Sequence, residues 1–183
     1  NFKFIDLGGG MGISYSQKER TLDLNQYAKL VEKFLKNKKS KIIFEPGRFI
    51  AGNTSILISK VIYIKKNKNK TFIILDAGMN DLMRPALYDA QHEIMPIRKS
   101  NKKMIGKIEF VGPICESTDK FLTQKNFSKL NEGDYIAITN VGAYGMSLAS
   151  NYNARPIIAE ILVSGSKYKI IKKRQSLENL INN

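Results

Sequence analysis

The sequence predicts a fold in two parts: the end of an α/β domain over residues 1–50, then a mainly β domain over 51–183 closed by a short helix. Two observations carry this. A strand, a glycine loop, a helix and a second strand occupy the first 45 residues or so. After them come several short apolar runs separated by Gly, Pro and Asn turns, the pattern of a sandwich or barrel-like sheet.

Phe2-Lys3-Phe4-Ile5-Asp6-Leu7 reads as a short buried strand that ends in Gly8-Gly9-Gly10, where the chain presents only backbone. From Asp23 to Leu35 the apolar residues Leu24, Tyr27, Ala28, Leu30, Val31, Phe34 and Leu35 recur at helical spacing, with Asp23 or Asn25 able to cap the start. Lys41 to Glu45 is the next strand, and the βαβ order implies a parallel pair with a right-handed crossover. Further strands are expected from Ser55 through Tyr63 (Ile56, Ile58, Val61 and Tyr63 alternating), over Thr71–Asp76, Lys107–Val111, Asp134–Thr139 and Ile157–Val163. Tyr168–Ile171 is expected to pair back across Ser164-Gly165-Ser166, and Gln175–Ile181 to form the last helix. A lone βαβ unit exposes its edges and both faces, and the chain opens on Asn inside an apolar run; both suggest a piece of a longer protein.

At 183 residues, 43% of them apolar and 25% charged, the composition is that of an ordinary globular protein and excludes a disordered or collagen-like chain. No apolar run reaches the roughly 18 residues of a membrane span, and no secretory signal is visible. One cysteine excludes an internal disulfide, so the expected location is cytoplasmic. The net charge of +14 raises a nucleic-acid role, but 24 of the 30 basic residues are Lys in loop-like clusters, whereas base readers rely on Arg. A solvated surface is the expected reading, with no nucleic-acid and no membrane partner.

Gly8-Gly9-Gly10 offers backbone N–H groups to a phosphate, or is a plain turn. It matches neither the P-loop nor the dinucleotide fingerprint. Glu45-Pro46-Gly47-Arg48 ends the next strand, so both motifs share the carboxyl rim where α/β folds gather function, and Arg48 brings a fork for phosphate or carboxylate. Arg84 and Tyr88, four apart, share one face of a helical turn stiffened by Pro85 and can grip a carboxylate. Cys115 and Glu116 follow a Gly-Pro turn; a lone cysteine is either a small packing residue or a placed thiol. Gly142 and Gly145 bracket Tyr144, allowing a tight turn that aims the ring. With His92 the only histidine, no metal site is expected, and a Cys–His pair would need that distant residue.

The ordered set of the glycine loop, EPGR at 45–48, DAGMNDLMRPALYDAQHEI at 76–94, GPICES at 112–117 and GAYGMSLASNYNARP at 142–156 resembles the C-terminal half of the diaminopimelate decarboxylases. These belong to the pyridoxal-phosphate decarboxylases of alanine-racemase-like fold. The resemblance covers nearly the whole chain. It implies the C-terminal end of a TIM-type (β/α) barrel followed by a β domain, and decarboxylation of meso-2,6-diaminopimelate to L-lysine and CO2. It implies pyridoxal 5′-phosphate held by Gly8, Gly9, Gly10, Glu45, Pro46, Gly47, Arg48 and Tyr144. Substrate would be lined by Arg48, Arg84, Tyr88, Glu116 and Tyr144, with Cys115 as proton donor. It further implies a homodimer in which Cys115 and Glu116 reach the partner's barrel.

The cofactor-linking lysine and the cofactor-stacking histidine of the family lie upstream of anything present here, so His92 takes no such role and the chain alone is expected to be inactive. Decarboxylases of ornithine, arginine or carboxynorspermidine share the architecture and are the alternative substrates. A non-catalytic dimerisation or basic binding module is the alternative of another class.

Overall fold

A computed structural model describes residues 2–15 and 20–182. The βαβ unit forms as the sequence predicts. Strands β1 (Phe4–Asp6) and β2 (Lys41–Ile43) run parallel, with Phe4 opposite Lys41 and Asp6 opposite Ile43. Helix α1 (Leu24–Leu35) connects them. Its cap is Asp23 and not Asn25: one Asp23 carboxylate oxygen accepts the N–H groups of Asn25 at 2.9 Å and Gln26 at 3.0 Å, filling donors the first turn leaves open. Phe4, Leu24, Leu30, Phe34 and Ile43 remain exposed, as the argument about a lone βαβ unit requires.

Helix α2 (Gly47–Ala51) and a 3₁₀ turn at Gly52–Thr54 lead into a six-stranded mixed, nearly closed sheet. Its strands are β3 (Leu57–Lys66), β4 (Thr71–Leu75), β5 (Ile94–Pro96), β6 (Lys103–Val111), β7 (Lys120–Ser128) and β8 (Tyr135–Ile138). They lie in the order β5-β8-β3-β4-β6-β7. All neighbours are antiparallel except β4 and β6. That parallel pair needs a crossover, and the crossover carries helix α3 (Arg84–Tyr88). One sheet face is closed over Val61, Ile73, Leu75, Ile108, Phe110, Ile136 and Ile138, all with no solvent contact, and Phe110 meets Phe127 edge-on at 5.0 Å.

Strands β9 (Glu160–Ser164) and β10 (Lys167–Lys172) form a separate antiparallel hairpin across the expected turn. Helix α4 (Leu177–Ile181) ends the described chain, with Ser176 as its cap.

The structure corrects three details. In β3 it is Leu57, Ser59 and Val61 that face the core, while Ile56 and Ile58 are exposed; both faces are apolar, so period-two alternation did not reveal which one is inside. Strand β7 was not foreseen, because Phe121 and Phe127 are its only fully buried residues, Leu122 packs only partly against the core, and a left-handed Asn126 interrupts the pattern. The three-residue β5 is too short to show a period.

Candidate active site

The loops that follow β1 and β2 are laced together. Leu7 N–H donates to Ile43 O at 3.0 Å, and Glu45 N–H donates to Gly8 O at 2.8 Å. The glycine loop and Glu45-Pro46-Gly47-Arg48 therefore share one rim, as their positions in the sequence imply. Glycine is required at position 9, where a Cβ would stand 2.5 Å from the carbonyl oxygen of Glu45.

This rim forms one wall of a cleft of about 790 Å³. Gly9, Gly10, Glu45, Pro46, Gly47 and Arg48 line that wall, and Arg84, Tyr88 and Tyr144 line the cleft from the β domain. Nine of the sequence-derived site residues thus meet in one hollow. Gly8 is not in the lining, although its carbonyl pins the wall. Cys115 and Glu116 do not line this cleft either; they sit on the loop between β6 and β7, where Cys115 is exposed and Glu116 accepts the Ser117 N–H at 2.9 Å.

Each β-domain residue has a local cause for its position. Pro85 fixes the first turn of α3, so Arg84 and Tyr88 share a face, Arg84 only 6% exposed and Tyr88 open to solvent. Tyr144 has φ near +60°, a left-handed conformation unusual for an aromatic residue. The turn that holds it is pressed against the end of α2: Gly142 N–H donates to Gly52 O at 3.0 Å, and a Cβ on Gly142 would lie within 2.0 Å of Ala51 O. The glycine bracket does set Tyr144 as the sequence suggests.

Sequence reasoning missed a layer of supporting residues. Tyr15 lines the cleft and its hydroxyl accepts from Arg84 NH1, while the guanidinium stands 4.9 Å from the Tyr15 ring. Buried Asp119 joins two loops, its carboxylate accepting Met79 N–H at 2.7 Å and Ile114 N–H at 2.8 Å. Asn80, Asp81 and Arg155 form a second polar cluster beside it, with Arg155 Nε donating to Asn80 Oδ1 at 2.9 Å and Arg155 NH2 standing 3.9 Å from Asp81 Oδ2. Burial pushes the carboxyls of Asp119 and Asp81 up from the ordinary range, and the backbone donors oppose that. The signal available was the Asp and Asn content of DAGMND and CESTD, which reads equally well as turn chemistry. Among the described residues no group of three or more His, Cys, Asp or Glu could hold a metal ion, and no helix is long and apolar enough to cross a membrane.

Asp119 yields a direct test. Met79 N–H and Ile114 N–H meet different oxygens of the carboxylate, and an amide keeps only one of those oxygens, so Asp119→Asn turns an NH2 group toward one buried N–H and orphans it. The full chain encoded by the complete reading frame should lose about 1–3 kcal/mol, read as roughly 2–4 °C in melting temperature per kcal/mol. An unchanged melting temperature would show that the two loops hold without this bridge.

Residues 14–142 match the family model described as pyridoxal-dependent decarboxylase, C-terminal sheet domain. The diaminopimelate decarboxylase of Helicobacter pylori is 46% identical over 180 residues, covering 98% of this chain and 44% of that protein. That of Aquifex aeolicus is 42% identical over 182 residues, covering 99% of this chain and 43% of its own length. The crystal structure of the Helicobacter pylori enzyme complexed with L-lysine superposes with a TM-score of 0.89 over 98% of this chain and 44% of that one. The chain therefore spans less than half the length of these relatives. With its sheet, its cleft and a family match over most of its length, the chain belongs to the pyridoxal-dependent decarboxylases, whose C-terminal sheet domain it carries.

Proposed function

We propose that the protein containing this chain decarboxylates meso-2,6-diaminopimelate to L-lysine and CO2 with pyridoxal 5′-phosphate. Residues 1–50 would be the C-terminal portion of its cofactor-binding barrel and residues 51–183 its β domain. The single observation that carries the reading is the cleft in which a glycine-rich backbone wall faces Arg84, Tyr88 and Tyr144.

The residues fit the cofactor. Gly8 and Gly10 adopt φ of +66° and +76°, and the close approach at Gly9 keeps that wall clear of side chains, as a phosphate cradle needs. Gly8, Gly9, Gly10 and the run Glu45–Arg48 would hold the phosphate end, with Tyr144 against the cofactor. Bound there, pyridoxal phosphate supplies an electron sink for the bond that loses CO2. The chain's own groups do the rest. Arg84, Arg48 and Tyr88 anchor carboxylate through charge-assisted hydrogen bonds, and Tyr144 orients. Glu116 suits a substrate ammonium, and the Cys115 thiol delivers a proton to the carbon that has lost its carboxylate.

Cys115 and Glu116 stand outside the cleft of their own chain, which supports a homodimer whose sites are shared, each loop serving the partner. A soluble cytoplasmic enzyme is the setting proposed.

The test is direct. The full chain, supplied with pyridoxal phosphate, should release lysine and CO2 in equal amounts from meso-diaminopimelate. Ornithine and arginine should react at least about 100-fold more slowly, because they leave a carboxylate anchor without its partner. Folded, cofactor-loaded protein that favours ornithine or arginine would overturn the substrate assignment.

A further inference from the structure

His92, the chain's one histidine, is 1% exposed, and none of the roles above uses it. We propose that His92 is a positioning residue: a neutral imidazole with its proton on Nδ1, it accepts a hydrogen bond from Arg84 and fixes which edge of the guanidinium meets a ligand.

The argument is one of donors and acceptors. His92 Nδ1 lies 2.9 Å from the carbonyl oxygen of Thr139, which can only accept, so Nδ1 carries a hydrogen. Nε2 lies 3.4 Å from Arg84 NH1, which can only donate, so Nε2 is bare. A single tautomer meets both demands. The imidazolium does not, because it would aim an N–H at a guanidinium N–H. Arg84 NH1 also donates to the Tyr15 hydroxyl, and the Tyr15 ring stands edge-on to the imidazole at 5.1 Å. Both NH1 hydrogens are thus directed into the protein. The edge formed by Nε and NH2 is left for a ligand, the edge that grips a carboxylate with two parallel bonds.

Among the described residues, Arg84 and Tyr15 are the titratable side chains that touch the ring. Burial holds the imidazole below its ordinary pKa and the Arg84 charge adds to this, while the Thr139 carbonyl opposes it. The carbonyl of Thr139 ties the pair to the end of β8, the strand that leads to the Tyr144 turn. One imidazole thereby links the two β-domain sides of the cleft.

The kinetic consequence rests on the proposed binding of a substrate carboxylate by Arg84; the tautomer does not. Two measurements keep them apart. In ¹⁵N imidazole spectra of the full chain, the resonance that disappears in His92→Gln should report an Nδ1–H tautomer when neutral, and should titrate below the ordinary imidazole value. Arg84→Ala should raise its pKa toward the ordinary value of about 6.5. An Nε2–H tautomer, or a titration indifferent to Arg84→Ala, overturns the proposal whatever the substrate is. In kinetics, Gln places an oxygen near the position of Nε2 and keeps an acceptor for Arg84, while Asn keeps only the donor to Thr139. His92→Asn should raise KM for diaminopimelate roughly tenfold with kcat little changed, and His92→Gln should stay within about threefold of the parent. Equal KM values in the two variants, at matched melting temperatures, would make His92 a packing residue. A wild-type chain inert toward diaminopimelate with the Nδ1–H signature intact would sink the substrate assignment and leave His92's orientation of Arg84 standing.

Discussion

Cys115→Ala should lower turnover of the full chain by about 10²–10⁴-fold, the usual weight of a positioned proton donor, while the bound cofactor's absorbance stays as in the parent. Cys115→Ser should fall almost as far, because a hydroxyl is a much weaker acid than a thiol. The structure supplies the reason to expect a clean separation of chemistry from folding. Cys115 is exposed, so its loss opens no cavity, and the loop that carries it is held from beneath by Asp119. A packing cysteine would behave differently, tolerating either substitution with normal kcat and about 1 kcal/mol of stability lost. Normal turnover in both variants would remove Cys115 from the mechanism.

Arg84→Ala should cost roughly tenfold to 150-fold in kcat/KM for diaminopimelate, the loss of a charge-assisted contact worth about 1.5–3 kcal/mol. Most of it should appear in KM if the contact is equally strong before and during reaction. Arg84→Lys should recover only part, since an ammonium cannot present two parallel donors and also bond Tyr15 and His92. An unchanged kcat/KM would make Arg84 a structural residue of the α3 turn. The two variants together test the shared site. In a mixed dimer of Cys115→Ala and Arg84→Ala subunits, one cleft pairs an intact Arg84 with an intact Cys115 from across the interface. Activity near half of wild type, well above either parent, is expected from that symmetry. Activity no higher than the parents would place thiol and cleft in the same subunit.

The parts of this molecule legible in its sequence are those fixed by local rules. The βαβ unit shows because α1 has a clear period and a capping Asp23, and the 160–172 hairpin shows because Ser164-Gly165-Ser166 is turn chemistry. The cleft was legible because glycine, proline and arginine at strand ends announce themselves. Strand β7 was hidden: its two inward phenylalanines lie six residues apart among Lys, Thr, Gln and Asn. The supporting residues were hidden for another reason. Tyr15 and Arg84, or Asp119 and Met79, are brought together by the crossover between β4 and β6, and nothing local to either residue records its partner.

The left-handed backbone at Tyr144 also bears on how this position can change over time. A side chain there costs on the order of 1–3 kcal/mol that glycine would not incur. Stability alone would favour replacing the tyrosine, and only a use for the aromatic ring in the cleft favours keeping it. A lineage released from the reaction has a downhill path at residue 144, toward glycine or asparagine, and the position should be among the first to drift. Variants recovered by selection for heat resistance and those recovered by selection for growth without added lysine should therefore part company at this residue before they differ elsewhere in the cleft.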